Sequence, residues 1–190
     1  MNLLSEIVPR LNVLKDDDFA IADDVFIVNI YSAGDVILRP GLICRKLYFI
    51  QAGLVYAYSN DESERILWYE FGGNSFTDVI SFYSRLESNI FIKVAENKTK
   101  IASISFDDLD TLYSKHHNWS IWGARFHQHE LLRLTQYYES LRTKDASQRY
   151  HELVDTYPEI LQRISLGHIA SYLGISQVSL SRIRAGTQKK

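Results

Sequence analysis

The stretch Ile164–Arg184, ISLGHIASYLGISQVSLSRIR, has the pattern of two short helices joined by a tight turn. We expect the first helix over 166–173 and the second over 177–184. Gly174 falls where the first helix ends, a position at which glycine adopts the left-handed conformation without strain. Ser176 then supplies an N-cap hydroxyl to the second helix. This order of helix, glycine turn and helix is typical of a helix-turn-helix.

The second helix has a buried face and an outer face. Leu180 and Ile183 are three residues apart, so at about 100° per residue they point in nearly the same direction. The outer face then carries polar and methyl-bearing side chains, namely Val178, Ser181 and Arg182, with Gln177 on its flank near the N-terminus. Arginine bonds guanine edges, glutamine bonds adenine edges, and an apolar side chain contacts the thymine methyl. The pattern predicts a DNA-binding helix, and the alternative is an ordinary helical hairpin that closes a domain.

The charge distribution is uneven along the chain. The 190 residues are 46% hydrophobic and 23% charged, which is typical of a globular protein with a real core. From residue 143 onward there are seven Lys or Arg and four Asp or Glu, a net +3, whereas residues 1–142 hold 14 and 19, a net −5. No Asp or Glu occurs from Ser165 to Lys190. A modestly basic segment on an acidic body fits a nucleic-acid-binding module attached to another domain.

The sequence also excludes several classes of protein. The N-terminus lacks the basic start and apolar core of a signal peptide, and no apolar run approaches the roughly 20 residues of a membrane span. A single cysteine, Cys44, excludes an internal disulfide and any cluster built from several thiolates of one chain. We expect a cytoplasmic protein that makes no membrane contact and carries no cofactor and no metal.

Residues 25–105 are rich in β-branched and aromatic residues. Turn residues separate six short runs: VFIVNI (25–30), KLYFIQ (46–51), LVYAYS (54–59), RILWYEF (65–71), IFIKVA (90–95) and KIASIS (100–105). Short strands at this spacing predict an antiparallel sandwich or barrel. A short helix is expected near 76–84.

Helical periodicity returns after residue 105. We expect helices over 106–116, 118–142 and 144–157, the last ended by Pro158. The middle helix carries an apolar seam at alternating spacings of three and four: Ala124, His127, Leu131, Leu134, Tyr138 and Leu141. Trp119, Trp122 and Phe126 are expected to pack on their own domain. The seam is predicted to pair with a second copy of the chain, the alternative being a helix packed on its own sheet.

Three features occur in a specific order along the chain. The first is Gly34-Asp35-Val36-Ile37 with Gly41, followed by Leu47-Tyr48-Phe49-Ile50 with Gly53 and Val55. The second is the long helix with its apolar seam. The third is IASYLGISQVSLSRIR. In this order the three features resemble the cyclic-AMP receptor protein/Fnr (Crp/Fnr) family of bacterial transcription regulators. With its Tyr157–Arg163 lead-in, the C-terminal segment is most similar to compact members common in Bacteroidetes.

The resemblance implies an α+β fold in three parts. Residues 1–117 form a cyclic-nucleotide-binding-like β-roll (jelly roll), 118–142 a dimerisation helix, and 143–190 a helix-turn-helix domain. It implies a homodimeric transcription regulator that binds double-stranded DNA, with an unknown small-molecule effector and RNA polymerase as further candidate partners. Bases would be contacted by Gln177, Val178 and Arg182, and the phosphate or secondary contacts would come from Ser176, Ser179, Ser181, Arg184 and His168.

The sequence departs from the family where cyclic nucleotides bind. Asn74 stands near the usual Glu, and Ser88-Asn89 stand near the usual Arg pair. A buried phosphate without its arginine is poorly compensated, so we expect no tight binding of cyclic AMP or cyclic GMP. A pocket for another effector is predicted at Phe71, Asn74, Phe76, Ser88 and Asn89.

The C-terminal domain departs from the family in two further ways. Val178 occupies a position where Glu is common, which favours a base with a methyl group. Only AGTQKK follows Arg184, so we expect a domain without a full wing, in which Lys189 and Lys190 supply phosphate contacts instead.

The sequence has two alternative interpretations. One is an effector- or protein-binding β-roll whose helix-turn-helix is structural only. The other is a metal-dependent jelly-roll enzyme, which needs histidines on its strands. All six histidines follow Phe106, outside the β-rich region, so we expect no catalytic residues and no enzyme.

Overall fold

The computed structural model describes residues 3–9 and 11–187. Lys189 and Lys190, predicted above to contact phosphate, lie outside the described residues. The chain divides into two compact units, Met1–Gln128 and His129–Lys190.

The N-terminal unit is built on two antiparallel sheets. In the described part of the chain the strands are β1 (Ile27–Tyr31), β2 (Val36–Leu38), β3 (Lys46–Ala52), β4 (Leu54–Ser59), β5 (Ile66–Phe71), β6 (Ser75–Phe76), β7 (Ile90–Val94) and β8 (Thr99–Ser105). One sheet has the order β1-β8-β3-β6 and the other β2-β7-β4-β5. Two four-stranded sheets with these crossovers form a jelly roll. The predicted β-roll is confirmed, and the two strands that sequence reasoning missed are three and two residues long.

Strand β3 is apolar at almost every position because both of its faces are covered. Leu47 and Phe49 face the helices that cover the first sheet, within one hydrophobic cluster. Tyr48 and Ile50 point to the interior of the roll, within a second cluster. Because successive side chains of a strand point to opposite faces, a strand covered on both faces needs apolar residues at nearly every position.

The helices lie close to their predicted positions. A 3₁₀ turn at Leu3–Glu6 precedes α1 (Asp16–Ala22), α2 (Val79–Ser84), α3 (Phe106–Lys115), α4 (His117–Thr143), α5 (Ala146–Thr156), α6 (Ile160–Arg163), α7 (Leu166–Leu173) and α8 (Gln177–Thr187). Helix α2 begins three residues later than expected, because Asp78 caps it by accepting a hydrogen bond from the Ser81 amide at 3.2 Å. Helix α6 was not predicted, and α8 continues three residues beyond its expected end at residue 184.

The first half of α4 belongs to the core of the N-terminal unit. Trp119 and Trp122 are fully buried, and Phe126 is nearly so. The Trp119 Nε1 donates a hydrogen bond to the carbonyl oxygen of Asp18 at 3.1 Å, and the Trp122 Nε1 donates to that of Pro9 at 2.6 Å. The prediction that these aromatic residues pack on their own domain is confirmed.

None of the helices among the described residues combines the length and the apolar character that a membrane crossing requires.

Candidate functional site

The turn between α7 and α8 has the predicted geometry. Gly174 adopts φ 69° and ψ 32°, in the left-handed region. The amides of Gly174 and Ile175 donate to the carbonyl oxygens of Ser171 and Ala170 at 3.1 and 3.0 Å, the two bonds of a Schellman motif. The Ser176 Oγ then accepts from the Ser179 amide at 3.1 Å and caps α8. The helix-turn-helix predicted from these residues is therefore confirmed as a structural unit.

A small apolar interface holds the two helices together. Ile169, Ala170 and Leu173 of α7 are buried, and so is Leu180 of α8. Each fully buried leucine or isoleucine side chain contributes about 1.5–3 kcal/mol through the hydrophobic effect. Ala170 lets the helices approach closely because its side chain is a single methyl group.

The opposite face of α8 is open to solvent. Gln177, Ser181 and Arg182 are exposed, and Val178 is 62% exposed. Periodicity placed Val178, Ser181 and Arg182 on the outer face and Gln177 on its flank. Because the helix presents them together on one side, a single ligand surface can contact all of them.

Three further predicted DNA-contacting residues are partly engaged within the chain. Ser176 is exposed, but its hydroxyl lies 3.0 Å from that of Ser179, which is half-buried. Arg184 is half-buried in the last turns of α8. The local role of Ser176 and Ser179 is to cap the helix, and their contacts with phosphate stay a prediction.

Gly167 was not singled out from the sequence, and it lies beneath the side chain of Gln177. A β-carbon built on Gly167 would come within 2.7 Å of the Gln177 Nε2. The bare backbone of Gly167 thus leaves room for the amide group of a predicted base-contacting residue. The two positions are ten residues apart, and no periodic pattern links them.

Arg149 ties α5 to the end of α7. Its Nη2 donates to the carbonyl oxygen of Leu173 at 3.0 Å. Helix α5 itself begins with a capping box, in which the Asp145 Oδ1 accepts from the Gln148 amide at 2.8 Å and the Gln148 Oε1 accepts from the Asp145 amide at 2.9 Å. Sequence reasoning identified the helix but not this arginine, because the bond joins residues 24 positions apart.

The second half of α4 presents apolar side chains to solvent. Leu131, Leu134, Tyr138 and Leu141 of the predicted seam are exposed by 39–63%, and Ala124 and His127 are also exposed. His127 is in contact with its own unit, since its Nδ1 lies 3.3 Å from the Tyr83 hydroxyl. Two exposed apolar residues beside the seam, Leu132 and Tyr137, were not predicted.

The residues of the predicted effector pocket do not share one surface. Phe76 belongs to the interior cluster, where its ring stacks on Tyr48 at 4.8 Å. Phe71 lies opposite Leu54 in the pairing of β4 with β5. Val55, the residue after Leu54, faces that interior. Because successive side chains of a strand point to opposite faces, Leu54 and Phe71 point away from it. Burial raises the pKa of Tyr48 well above its usual value, so its phenol stays neutral.

The polar members of the predicted pocket bond within the chain. The Asn74 Nδ2 donates to Glu70 Oε2 at 2.8 Å. Ser88 is buried, and its Oγ accepts from the Ile90 amide at 3.2 Å. Asn89 is exposed. The effector pocket therefore stays a prediction.

Arg85 is the basic side chain nearest in sequence to the family's phosphate-binding arginine. Its guanidinium lies over the Phe106 ring at 3.7 Å, and its Nη2 donates to Asp107 Oδ1 at 3.2 Å. Its backbone is left-handed, with φ 59°, at the end of α2. Through these two contacts the guanidinium of Arg85 packs against the start of α3.

Among the described residues, no group of three or more His, Cys, Asp and Glu side chains is arranged to hold a metal ion. No protein-family model and no curated protein sequence matches the chain.

Solved structures do match it over nearly its whole length. A transcriptional regulator of the Crp/Fnr family from Eubacterium rectale superposes with a TM-score of 0.70 at 15% identity, covering 95% of this chain and 87% of that chain. FixK2 from Bradyrhizobium japonicum gives 0.70 at 16% identity, covering 87% and 85%. The catabolite activator protein of Thermus thermophilus gives 0.56 at 18% identity, covering 96% and 87%. The resemblance inferred from the sequence is thus confirmed at the level of structure, and this chain has the fold of the Crp/Fnr transcription regulators.

Proposed function

We propose that this chain is a dimeric, sequence-specific DNA-binding transcription regulator of the Crp/Fnr type, and not an enzyme. One observation carries the proposal. Gln177, Val178 and Arg182 lie together on the exposed face of the second helix of a helix-turn-helix. In this motif the second helix enters the major groove, and its outer side chains read base edges.

The side chains on that face suit base recognition. Arg182 would bond a guanine edge, Gln177 an adenine edge, and Val178 would contact a thymine methyl. We assign the phosphate or secondary contacts to Ser176, Ser179, Ser181, Arg184 and His168. Because phosphate contacts carry no sequence information, this division predicts different effects for Arg182 and Arg184.

The exposed stripe on α4 supports pairing of two copies. Leu131, Leu134 and Tyr138 lie on one face of the helix with their side chains in solvent. An exposed apolar stripe of this kind marks an association surface. Two copies would double the small positive charge of the C-terminal segment and present two recognition helices to successive half-sites, about one helical turn apart.

The β-roll is proposed as the sensing part, without a response to cyclic AMP. Arg85 contacts the Phe106 ring and pairs with Asp107, and the Ser88 Oγ accepts a hydrogen bond from the Ile90 amide at the start of β7. A cyclic phosphate would therefore compete with Asp107 for this arginine. The unknown effector, the contact with RNA polymerase, the cytoplasmic location and the functional division at residues 117 and 142 belong to this proposal.

A second candidate is a β-roll module whose helix-turn-helix is structural only. The observation that favours it is the local use of the Ser176 and Ser179 hydroxyls, which bond each other rather than extending outward. In that case α8 would serve only to close the C-terminal unit.

The two candidates differ in sequence preference for DNA. Selection from a randomised duplex library with the full-length protein should enrich a nearly palindromic site. Arg182→Ala should then lose about 1–3 kcal/mol of discrimination at one base position, measured by fluorescence anisotropy on the selected site and on single-base variants.

Arg184→Ala is the matched control, since it removes the same charge from the same helix. It should weaken binding to all sequences alike and reduce the salt dependence of the affinity. Equal affinity for every duplex in the library would favour the structural candidate. Equal and uniform losses for the two variants would make Arg182 a phosphate contact instead.

A further inference from the structure

The C-terminal unit contains a cleft that DNA binding does not use. The last turns of α4, together with α5 and α7, line an open cleft with a volume of about 200 Å³. For comparison, a buried cavity of about 150 Å³ accommodates a benzene ring. The walls are mainly aromatic and aliphatic, and include Tyr137, Leu141, Leu153, Tyr157, Tyr172 and Leu173.

Arg149 brings a positive charge to the wall of this cleft. Its Nη2 donates to the Leu173 carbonyl oxygen, while its Nε is buried and has no hydrogen-bond partner among the described residues. No carboxylate within residues 3–9 and 11–187 forms an ion pair with it. A guanidinium has five N–H donors, and its fork matches a carboxylate. The cleft therefore has an anion-binding group that the chain itself leaves uncompensated.

Glu152 also lines the cleft, but its charge is already neutralised. Its Oε1 accepts from Lys144 Nζ at 2.6 Å, and its Oε2 accepts from Ser140 Oγ at 2.8 Å. The hydrogen bond from Lys144 is the main cause that lowers the pKa of Glu152. The net local charge that an entering ligand meets is therefore that of Arg149.

Tyr137 lies at the wall of the cleft and is 37% exposed. Burial raises the pKa of its phenol, and the positive charge of Arg149 offsets part of that increase. The phenol is therefore neutral at pH 7, and it lies within the electrostatic reach of the guanidinium. Charge-assisted hydrogen bonds are stronger than those between two neutral groups.

We propose that this cleft binds a small carboxylate whose apolar part is about the size of one aromatic ring. The carboxylate pairs with Arg149, and the ring lies among Tyr137, Leu153 and Tyr172. The size follows from the cavity volume, the charge from the uncompensated guanidinium, and the apolar part from the walls. This site goes beyond the proposed DNA-binding function and does not depend on it, because no residue of the outer face of α8 takes part.

Benzoate and benzamide are the test pair, since they share a ring and differ in charge. Titration calorimetry on the full-length protein without DNA should show benzoate binding at least tenfold more tightly than benzamide. Arg149→Gln should reduce benzoate affinity at least tenfold and leave benzamide affinity within twofold. Arg142→Gln, which removes an exposed arginine outside the cleft, should change neither. Equal binding of the two probes, no binding of either, or equal losses in both variants would overturn the proposal.

Arg149 also supports the fold through its contact with α7, and Arg149→Gln removes that contact. A second variant therefore tests the cleft while keeping Arg149. Leu153→Trp fills the cleft without removing the charge, and it should abolish benzoate binding while circular dichroism reports an unchanged helix content. Unchanged benzoate binding in Leu153→Trp would place the anion elsewhere and overturn the proposal.

The other possible occupant of the cleft is a second copy of the chain, because Leu141 belongs both to the cleft and to the predicted seam. Benzoate affinity should be independent of protein concentration. Affinity that falls as the protein concentration rises would assign the cleft to the second copy instead and overturn the proposal. Since all these measurements omit DNA, they can fail without affecting the proposed regulator function.

Discussion

The two halves of α4 have the same apolar spacing and opposite surroundings. In the first half, Trp119 and Trp122 have no exposed surface. In the second half, Leu131 is 63% exposed and Tyr138 is 57% exposed. Periodicity therefore identifies which face of a helix is apolar, whereas it does not identify what covers that face.

The residue types explain part of the difference. The indole rings of the first half are large, and each indole N–H finds a backbone carbonyl acceptor within the same unit. A buried indole needs such a partner, so the chain around it must be built to supply one. The leucine side chain has no polar atom that needs a hydrogen-bond partner. Leu131 and Leu134 therefore suit a surface that is exposed in the monomer and that a second copy would cover.

Replacement of Trp119 should have the largest effect. Trp119→Ala removes a fully buried indole that contacts Phe19, Phe26 and Trp122, and we expect it to lower the free energy of unfolding by about 3–5 kcal/mol. Urea unfolding followed by circular dichroism at constant protein concentration measures the change. A loss under 1 kcal/mol would mean that the first half of α4 is not part of the core.

Replacement of Leu131 should affect association rather than folding. Leu131→Ala removes a seam side chain, and we expect the dissociation constant of the dimer to rise at least tenfold, about 1.4 kcal/mol. The free energy of unfolding of the monomer should change by no more than about 0.5 kcal/mol, as for other exposed positions. Sedimentation velocity over a range of concentrations measures the first quantity.

Leu132 is the matched control for Leu131. Both leucines are 63% exposed and lie on the same helix, and only Leu131 belongs to the predicted seam. Leu132→Ala should change the dissociation constant less than threefold. Equal effects of the two substitutions would show that the interface covers a broader face of α4, and no effect of either would exclude the seam.

Much of the fold was predictable because local signals agree with the tertiary structure. The glycine at position 174, the serine at 176 and the leucine at 180 each have a local physical role, and the structure places all three as expected. The strands that were missed, Val36–Leu38 and Ser75–Phe76, are too short to show alternation. Their positions depend on pairing with β7 and β3, which sequence alone does not reveal.

Which candidate site residues share one surface was predictable only where a single helix carries them. The outer face of α8 follows from the spacing within one helix. The effector pocket combined residues from separate strands, and the structure puts Phe71 and Phe76 on different surfaces. The contact of Gln177 with Gly167 and that of Arg149 with Leu173 join different helices. Such contacts depend on how elements pack, and no periodic pattern records them.

The smallest predicted effect concerns the end of α4, where its second half does contact its own chain. Ser140, on α4, and Lys144, directly after it, both bond Glu152 of α5. Glu152→Gln removes the charge of this partly exposed group, and we expect it to lower the free energy of unfolding at pH 7 by about 0.2–1 kcal/mol. A larger loss would show that the second half of α4 is held mainly by its own unit, which would weaken the contrast with the first half.

The pH dependence of the loss in unfolding free energy caused by Glu152→Gln separates the contribution of the Glu152 charge from that of its packing. The hydrogen bonds from Lys144 and Ser140 hold the pKa of Glu152 below its ordinary value of 4.5 in the folded state. A carboxyl group with a lowered folded pKa stabilises the fold fully above its unfolded pKa, and that contribution is lost as the pH falls through the folded pKa. The difference in unfolding free energy between the wild type and Glu152→Gln should therefore be constant from pH 7 to about pH 5 and shrink towards zero below that. Urea unfolding at pH 7, 5, 4 and 3 measures it, and a difference that persists unchanged at pH 3 would assign the loss to packing, because a protonated Glu152 no longer carries the charge that Lys144 binds.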